Sequence, residues 1–166
     1  MRESQVKPLL LYHGSNIVIE EPSLSFSRST LDFGRGFYMT TDPEQAKRWA
    51  ERIARVRGAG VPTVSVFQTE ETLWSKLRIL RFDRPDEAWL DLVVACRTGR
   101  PVSEPADVIT GPIADDRTVT VINQLIDGVF PKRIALQLLE PMKLSDQWAI
   151  RTEKALAALR FEGVVR

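Results

Sequence analysis

Leu9, Leu10 and Leu11, set between Pro8 and Tyr12, predict a short buried strand over residues 8–12, with His13, Gly14 and Ser15 at its end. Residues 16–31 hold no period. Pro22 and the run Ser23, Ser25, Ser27, Ser29 and Thr30 predict a loop, and one of that length is uncommon unless it is functional or mobile. The pattern then tightens. Gly34 and Gly36 bracket Arg35, as in backbone pressed against a neighbour or turned sharply. Residues 37–41 alternate like a strand and carry Tyr38. Asp42 is placed to cap a helix, with Pro43 at its first position and Gln45 at the capping-box position. Ala46, Trp49, Ala50 and Ile53 recur at i, i+3, i+4, i+7 and form its buried stripe.

Farther on, strands are predicted over residues 63–68 and 77–82. A helix over 86–97 presents Trp89, Leu92, Val93 and Cys96 on one face. A strand near 107–113 runs into Gly111-Pro112, and a helix capped by Asp115 or Asp116 turns Val119, Ile122, Leu125 and Ile126 inward. Another helix starts near Pro131, with Ile134, Leu138 and Leu139 apolar. Residues 145–152 form a strand with Gln147, Ala149 and Arg151 on one face and Trp148 and Ile150 on the other; a short helix over 153–159 and a strand over 161–165 follow. Strands and helices mix without a regular βαβ rhythm. The fold class expected is therefore α+β, as one domain over residues 1–166.

Composition narrows the chemistry. Hydrophobic residues are 43% and charged residues 27% of the chain, ordinary for a globular protein. A formal net charge of +1 supplies no global field for nucleic acid or membrane. One cysteine, Cys96, and one histidine, His13, exclude an intrachain disulfide and a multi-histidine or cysteine-based metal site. No apolar run approaches a membrane span and the N-terminus lacks a signal-peptide core, so a cytoplasmic protein without membrane contact is expected.

Each candidate has a structural alternative. His13 is either a satisfied structural histidine or a group presented at a strand end. Tyr38 is either packed in a loop–strand–helix junction or held at the mouth of a cleft. Arg28, ahead of the glycine turn, either meets a phosphate or is solvated. Arg48, Arg52 and Arg55 share a helix face that, with Glu44 and Glu51 interleaved, reads as solvated. Asp115 and Asp116 form either an acid pair or, more simply, a helix cap. Cys96 reads as a buried apolar residue, not a nucleophile.

Four blocks occur in order: Tyr12-His13-Gly14-Ser15, residues 32–41 around Gly36-Phe37-Tyr38, residues 108–116, and residues 147–156 beginning Gln147-Trp148-Ala149. Together they closely resemble an uncharacterised bacterial family with the ADP-ribosyltransferase fold, on the diphtheria-toxin and poly(ADP-ribose) polymerase side of that superfamily. The resemblance implies a split, two-sheet α+β fold gripping NAD, which is substrate as well as cofactor, with no metal. It implies a catalytic set of His13, Tyr38 and Gln147. His13 would bond the adenosine-side ribose, the Gly14 backbone would hold the nicotinamide carboxamide, and Tyr38 would stack on the nicotinamide ring. Ser15, Arg28, Gly36 and Phe37 are the further NAD-binding candidates.

Gln147 departs from the glutamate that many active transferases carry. It accepts a hydrogen bond but brings no negative charge to a developing oxocarbenium ion. That leaves a slower transferase, one whose substrate supplies the base, or an inactive NAD fold. Glu153, six positions on and roughly 20 Å away along an extended strand, is too distant to replace it. The function expected from the resemblance is transfer of ADP-ribose to a macromolecular acceptor, protein or nucleic acid. Small members of the superfamily act as toxins held by a small helical antitoxin, or in phage defence. NAD glycohydrolysis and non-catalytic nucleotide or partner binding are the alternatives.

Overall fold

The computed structural model describes residues 8–166. Seven strands and six helices follow one another there: β1 (Leu10–Ser15), β2 (Phe37–Met39), α1 (Pro43–Arg57), β3 (Thr63–Thr69), α2 (Glu71–Trp74), β4 (Ile79–Arg81), α3 (Glu87–Arg97), β5 (Val108–Pro112), α4 (Asp116–Ile126), α5 (Lys132–Leu139), β6 (Asp146–Ile150), α6 (Glu153–Leu156) and β7 (Leu159–Val165). They build two small sheets, ordered β1-β3-β7 and β2-β6-β5-β4. Every pairing is antiparallel except β4 with β5, whose parallel connection carries α3. The fold is mixed α+β. No helix among the described residues is long and apolar enough to cross a membrane.

Alternation within the strands sorts the core. Phe37, Met39, Trp148, Ile150 and Val108 leave one face of the second sheet and pack with Leu11 and Phe67 of the first. Ala149 and Ile109 leave the opposite face, with Tyr38 against them, and are covered by Phe33, Trp89, Leu90 and Val93, with α4 and α5 beyond. On the outer face of the first sheet, Ala46 and Ala50 of α1 meet Val64.

The local signals in α1 act as expected in part. Asp42 accepts from the Glu44 N–H at 3.0 Å. The capping box is not completed: the Asp42 N–H goes to Thr40 Oγ1, and Gln45 Oε1 accepts from Arg48 instead. Ala46 and Ala50 are buried, while Trp49 and Ile53 are half-buried.

Other expectations need correction, among them the short helix, which ends at Leu156, and the last strand, which already starts at Leu159. β1 does not stop at Tyr12. It runs to Ser15, because Thr63, Val64 and Ser65 give Ser15, Gly14 and His13 partners that no local pattern announces. α4 buries Thr118, Val121 and Ile122, and Ile126 is 39% exposed. The helix is rotated because Asp115, its cap, takes both the N–H and the hydroxyl of Thr118, so a threonine can be buried fully satisfied. In α5, Ala135 and Leu139 are buried and Leu138 is 43% exposed.

Candidate functional site

The site begins where the two sheets part. Along β1 the odd-numbered residues face β3: the Leu9 carbonyl accepts from Thr69 N–H at 3.0 Å. Tyr12 faces the other way, its N–H donating to Thr40 O at 2.8 Å and its carbonyl accepting from Thr40 N–H at 3.0 Å. In an antiparallel ladder main-chain groups alternate sides, so Gly14 also aims its N–H and C=O away from β3, toward β2. No further rung forms. Among the described residues, Tyr12–Thr40 is the one bridge between β1 and β2. Beyond it no rung is formed among the described residues, and the donor and acceptor of Gly14, itself buried, face this gap in the ladder.

The lack of a side chain at Gly14 has a separate cause. α1 crosses β1 there so closely that a Cβ would collide with the carbonyl oxygen of Ala46 and come within 2.8 Å of Ala50 N. Glycine inside a strand is tolerated at such a close backbone approach. α1 is thereby seated against β1 at Gly14.

On the far side of the gap stands Tyr38, 25 positions along from His13. The same alternation turns its carbonyl toward β1, where His13 Nδ1 meets it at 2.7 Å. A carbonyl only accepts, so Nδ1 carries the proton, and Nε2 of the neutral ring is an acceptor. The His13 ring stacks on Phe37 with centroids 4.1 Å apart. Burial, opposed by the bond to Tyr38 and assisted by the charge of Arg57, lowers the His13 pKa to about 4. The imidazole is therefore neutral near pH 7.

That state has a consequence for stability. The folded pKa lies below the ordinary 6.5, so between these values the unfolded chain binds more protons and stability falls as pH falls. From pH 7 to pH 5 the loss from this group is expected to be roughly 2 kcal/mol. Urea unfolding midpoints measured across that range should drop for the wild type and stay nearly level for His13→Asn, whose amide still donates to Tyr38 O. Parallel slopes for the two proteins would show that His13 does not titrate this way.

The Tyr38 side chain lies on the opposite face of β2 from Phe37. Its hydroxyl donates to Gly34 O at 2.6 Å and accepts from Phe33 N–H at 2.9 Å, fastening the ring to the glycine turn. Burial, only partly offset by the Phe33 N–H and reinforced by the charge of Asp32, pushes the hydroxyl above its usual range, so it stays protonated. Gly34 has φ +76°, the left-handed region that favours glycine. Gly36 N–H donates to Ser27 Oγ at 2.9 Å, and a Cβ there would lie 3.1 Å from Ile150 O.

Gln147 shares the Tyr38 face of the second sheet and is 3% exposed. Its Nε2 donates to Asp32 Oδ2 at 3.1 Å and to Pro112 O at 3.4 Å. Both partners only accept, which fixes the amide: nitrogen toward Asp32 and Pro112, Oε1 away from them. Asp32 Oδ1 is held by Arg97 through Nε at 2.7 Å and Nη2 at 2.6 Å.

Of the sequence candidates, the structure joins His13, next to Gly14 on β1, to the main-chain carbonyl of Tyr38, while the Tyr38 ring lies on the other face of β2 from the Phe37 ring that His13 stacks on. Gln147 stands behind the Asp32 carboxylate. The Phe37 ring is buried and holds that of His13; the Ser15 hydroxyl is buried against Asn16; Arg28 is exposed on the loop over 16–31. Of the aspartate pair, Asp115 is the α4 cap, Asp116 is exposed, and no group of three metal-ligating side chains occurs among the described residues. Cys96 is buried, with its thiol pKa pushed up by that burial. Sequence reasoning missed Asp32 and Arg97 as site residues. Asp32 lies 65 positions from Arg97 and 115 from Gln147, and no spacing rule spans such distances.

Two surface hollows lie elsewhere. One of about 420 Å³ sits between α3, α4 and α5, with Lys132 paired to Asp91 at its rim. One of about 240 Å³ includes Arg81, Gly111, Pro112 and Trp148. Neither is lined by His13, Tyr38 or Gln147.

Residues 9–161 match the model of a family described as "Protein of unknown function (DUF3990)". No curated protein matches the chain.

Proposed function

The chain belongs to the DUF3990 family, and from that premise, which brings no activity with it, we propose that it is an NAD-dependent ADP-ribosyltransferase acting on a macromolecular acceptor. Its two sheets would then be the halves of an ADP-ribosyltransferase-like fold around an NAD cleft. The observation that supports this most is the gap between β1 and β2, where Gly14 holds out one donor and one acceptor. A primary carboxamide carries the complementary pair, and nicotinamide has one. His13, with Nε2 as its acceptor, is suited to receive a ribose hydroxyl. The Tyr38 ring, tied at its hydroxyl to the glycine turn, is suited to stack on the nicotinamide.

In this reading the chain's residues position and stabilise, and none forms a covalent intermediate. The bond between nicotinamide and ribose breaks, nicotinamide leaves with the electron pair, and the ribose carbon becomes an oxocarbenium ion. A nucleophile on the acceptor captures it and gives up a proton. Gln147 Oε1, turned away from Asp32 and Pro112 by the bonds that Nε2 makes to them, would accept from a hydroxyl of that ribose. NAD is consumed, and none of these roles calls on a metal.

Incubation with NAD labelled in its adenylate half tests the proposal. Label on protein or nucleic acid means transfer; free ADP-ribose means hydrolysis; binding without either means a binding module. Tyr38→Ala is expected to lose NAD turnover, since an aromatic stack of this kind contributes about 1–3 kcal/mol. Tyr38→Phe is expected to keep part of the turnover but to melt earlier, because Gly34 O and Phe33 N–H lose their partner. Wild-type turnover by Tyr38→Ala would remove Tyr38 from the site.

A further inference from the structure

Gln147 is not a free amide on a strand. It is the end of a chain of contacts that begins at Arg97, at the last turn of α3. Arg97 places both Nε and Nη2 on Asp32 Oδ1, and Asp32 Oδ2 takes Gln147 Nε2. The Asp32 side chain is 12% exposed, so this pairing is made mostly out of water. A guanidinium has only donors and a carboxylate only acceptors. The polarity of the whole chain is therefore set from the Arg97 end.

We propose that Asp32 is a positioning residue: through the Gln147 amide it decides that an oxygen, and not an NH2 group, is what Gln147 offers to substrate. It also places its negative charge one side chain behind that oxygen. The bond to Nε2 polarises the amide and makes Oε1 a stronger acceptor. This rests on the transferase reading above, and assigns to a pair of residues the work for which other transferases use one glutamate.

The arrangement makes an unobvious prediction for each half of the pair. In Asp32→Asn, Arg97 still needs an acceptor, so the oxygen of the introduced amide stays with Arg97 and its NH2 faces the Gln147 NH2. The Gln147 amide must turn over. It gives up Pro112 O and presents its NH2 where a cation develops. Turnover number should fall about tenfold or more, with KM little changed, because the contact matters most in the transition state. Gln147→Glu should lose activity as well. It sets a second carboxylate against Asp32 Oδ2, and the two like charges repel until the pair takes up a shared proton. Its activity should recover as pH is lowered. In the double variant Asp32→Asn/Gln147→Glu, the introduced amide donates its NH2 to the new carboxylate, and a charged oxygen faces the cleft. Turnover should return to the wild-type level or above it.

The experiment is steady-state nicotinamide release by the wild type, both single variants and the double variant, with unfolding midpoints and the NMR signals of the Gln147 side-chain amide taken in parallel. Low single variants with a recovered double support the proposal. A single Asp32→Asn variant with the wild-type turnover number overturns it, as does a double variant whose losses simply add. If the wild type releases no nicotinamide, the transferase reading falls, and the amide signals decide the positioning role alone. A large shift of the Gln147 NH2 signals in Asp32→Asn sustains it, and unmoved signals end it.

Discussion

Gly14→Ala is expected to lose about 3 kcal/mol of stability or more, at the upper end of what overpacking costs. The new methyl group has no side chain to push aside. It meets the carbonyl oxygen of Ala46 and lies 2.8 Å from the nitrogen of Ala50, both backbone of α1. Relief requires the whole helix to retreat from β1, undoing its contact at Ala46, Ala50 and Val64. Gly58 is the informative comparison. It ends α1 at φ 63°, where an added Cβ would have nothing within 4 Å, so Gly58→Ala meets only the left-handed strain of roughly 1–2 kcal/mol. Urea denaturation of the two variants should separate them clearly. Equal losses would mean that α1 does not lie against β1 as described.

Gln147→Ala is expected to lower nicotinamide release by roughly 100-fold while leaving NAD affinity nearly unchanged. In the proposed transferase reading, a bond from Oε1 to the ribose would strengthen only as positive charge develops, so its loss would fall on turnover and not on binding. Some stability goes too, about 1–3 kcal/mol, because Asp32 Oδ2 loses a buried donor. Turnover is therefore compared at a temperature where both proteins are folded by circular dichroism. If Gln147→Ala cleaves NAD as the wild type does, Gln147 is a buried strand residue that serves only to hold Asp32.

The structure changes what a glutamate at position 147 would mean. From the sequence, Gln147→Glu simply adds the missing charge. With Asp32 Oδ2 at 3.1 Å from Nε2, the charge is already beside the site, and a second one opposes it. The Tyr38 hydroxyl is a similar case. The ring face is what the sequence suggests; the two bonds that fasten it to Phe33 and Gly34 appear only in the fold.

What the sequence determines by itself is local. Asp42-Pro43 starts α1, because a cap and a fixed φ act within one turn. The alternation around Phe37-Tyr38-Met39 and Gln147-Trp148-Ala149 assigns faces, because side chains in a strand alternate regardless of partner. Cys96 is buried by its place on the apolar stripe of α3. The blocks around His13, Tyr38 and Gln147 are legible as motifs for the same reason. Only the tertiary structure decides that β1 continues through Gly14, since its partners lie about fifty residues away in β3. It alone decides that His13 is neutral with its proton on Nδ1, because that follows from burial and from a carbonyl on another strand. The closing of Arg97, Asp32 and Gln147 into one polar chain is decided there too. Hydrogen-bond partners so far apart in sequence are selected by the packing of α3, the glycine turn and β6 against one another, and the free energy of that packing has no local signature.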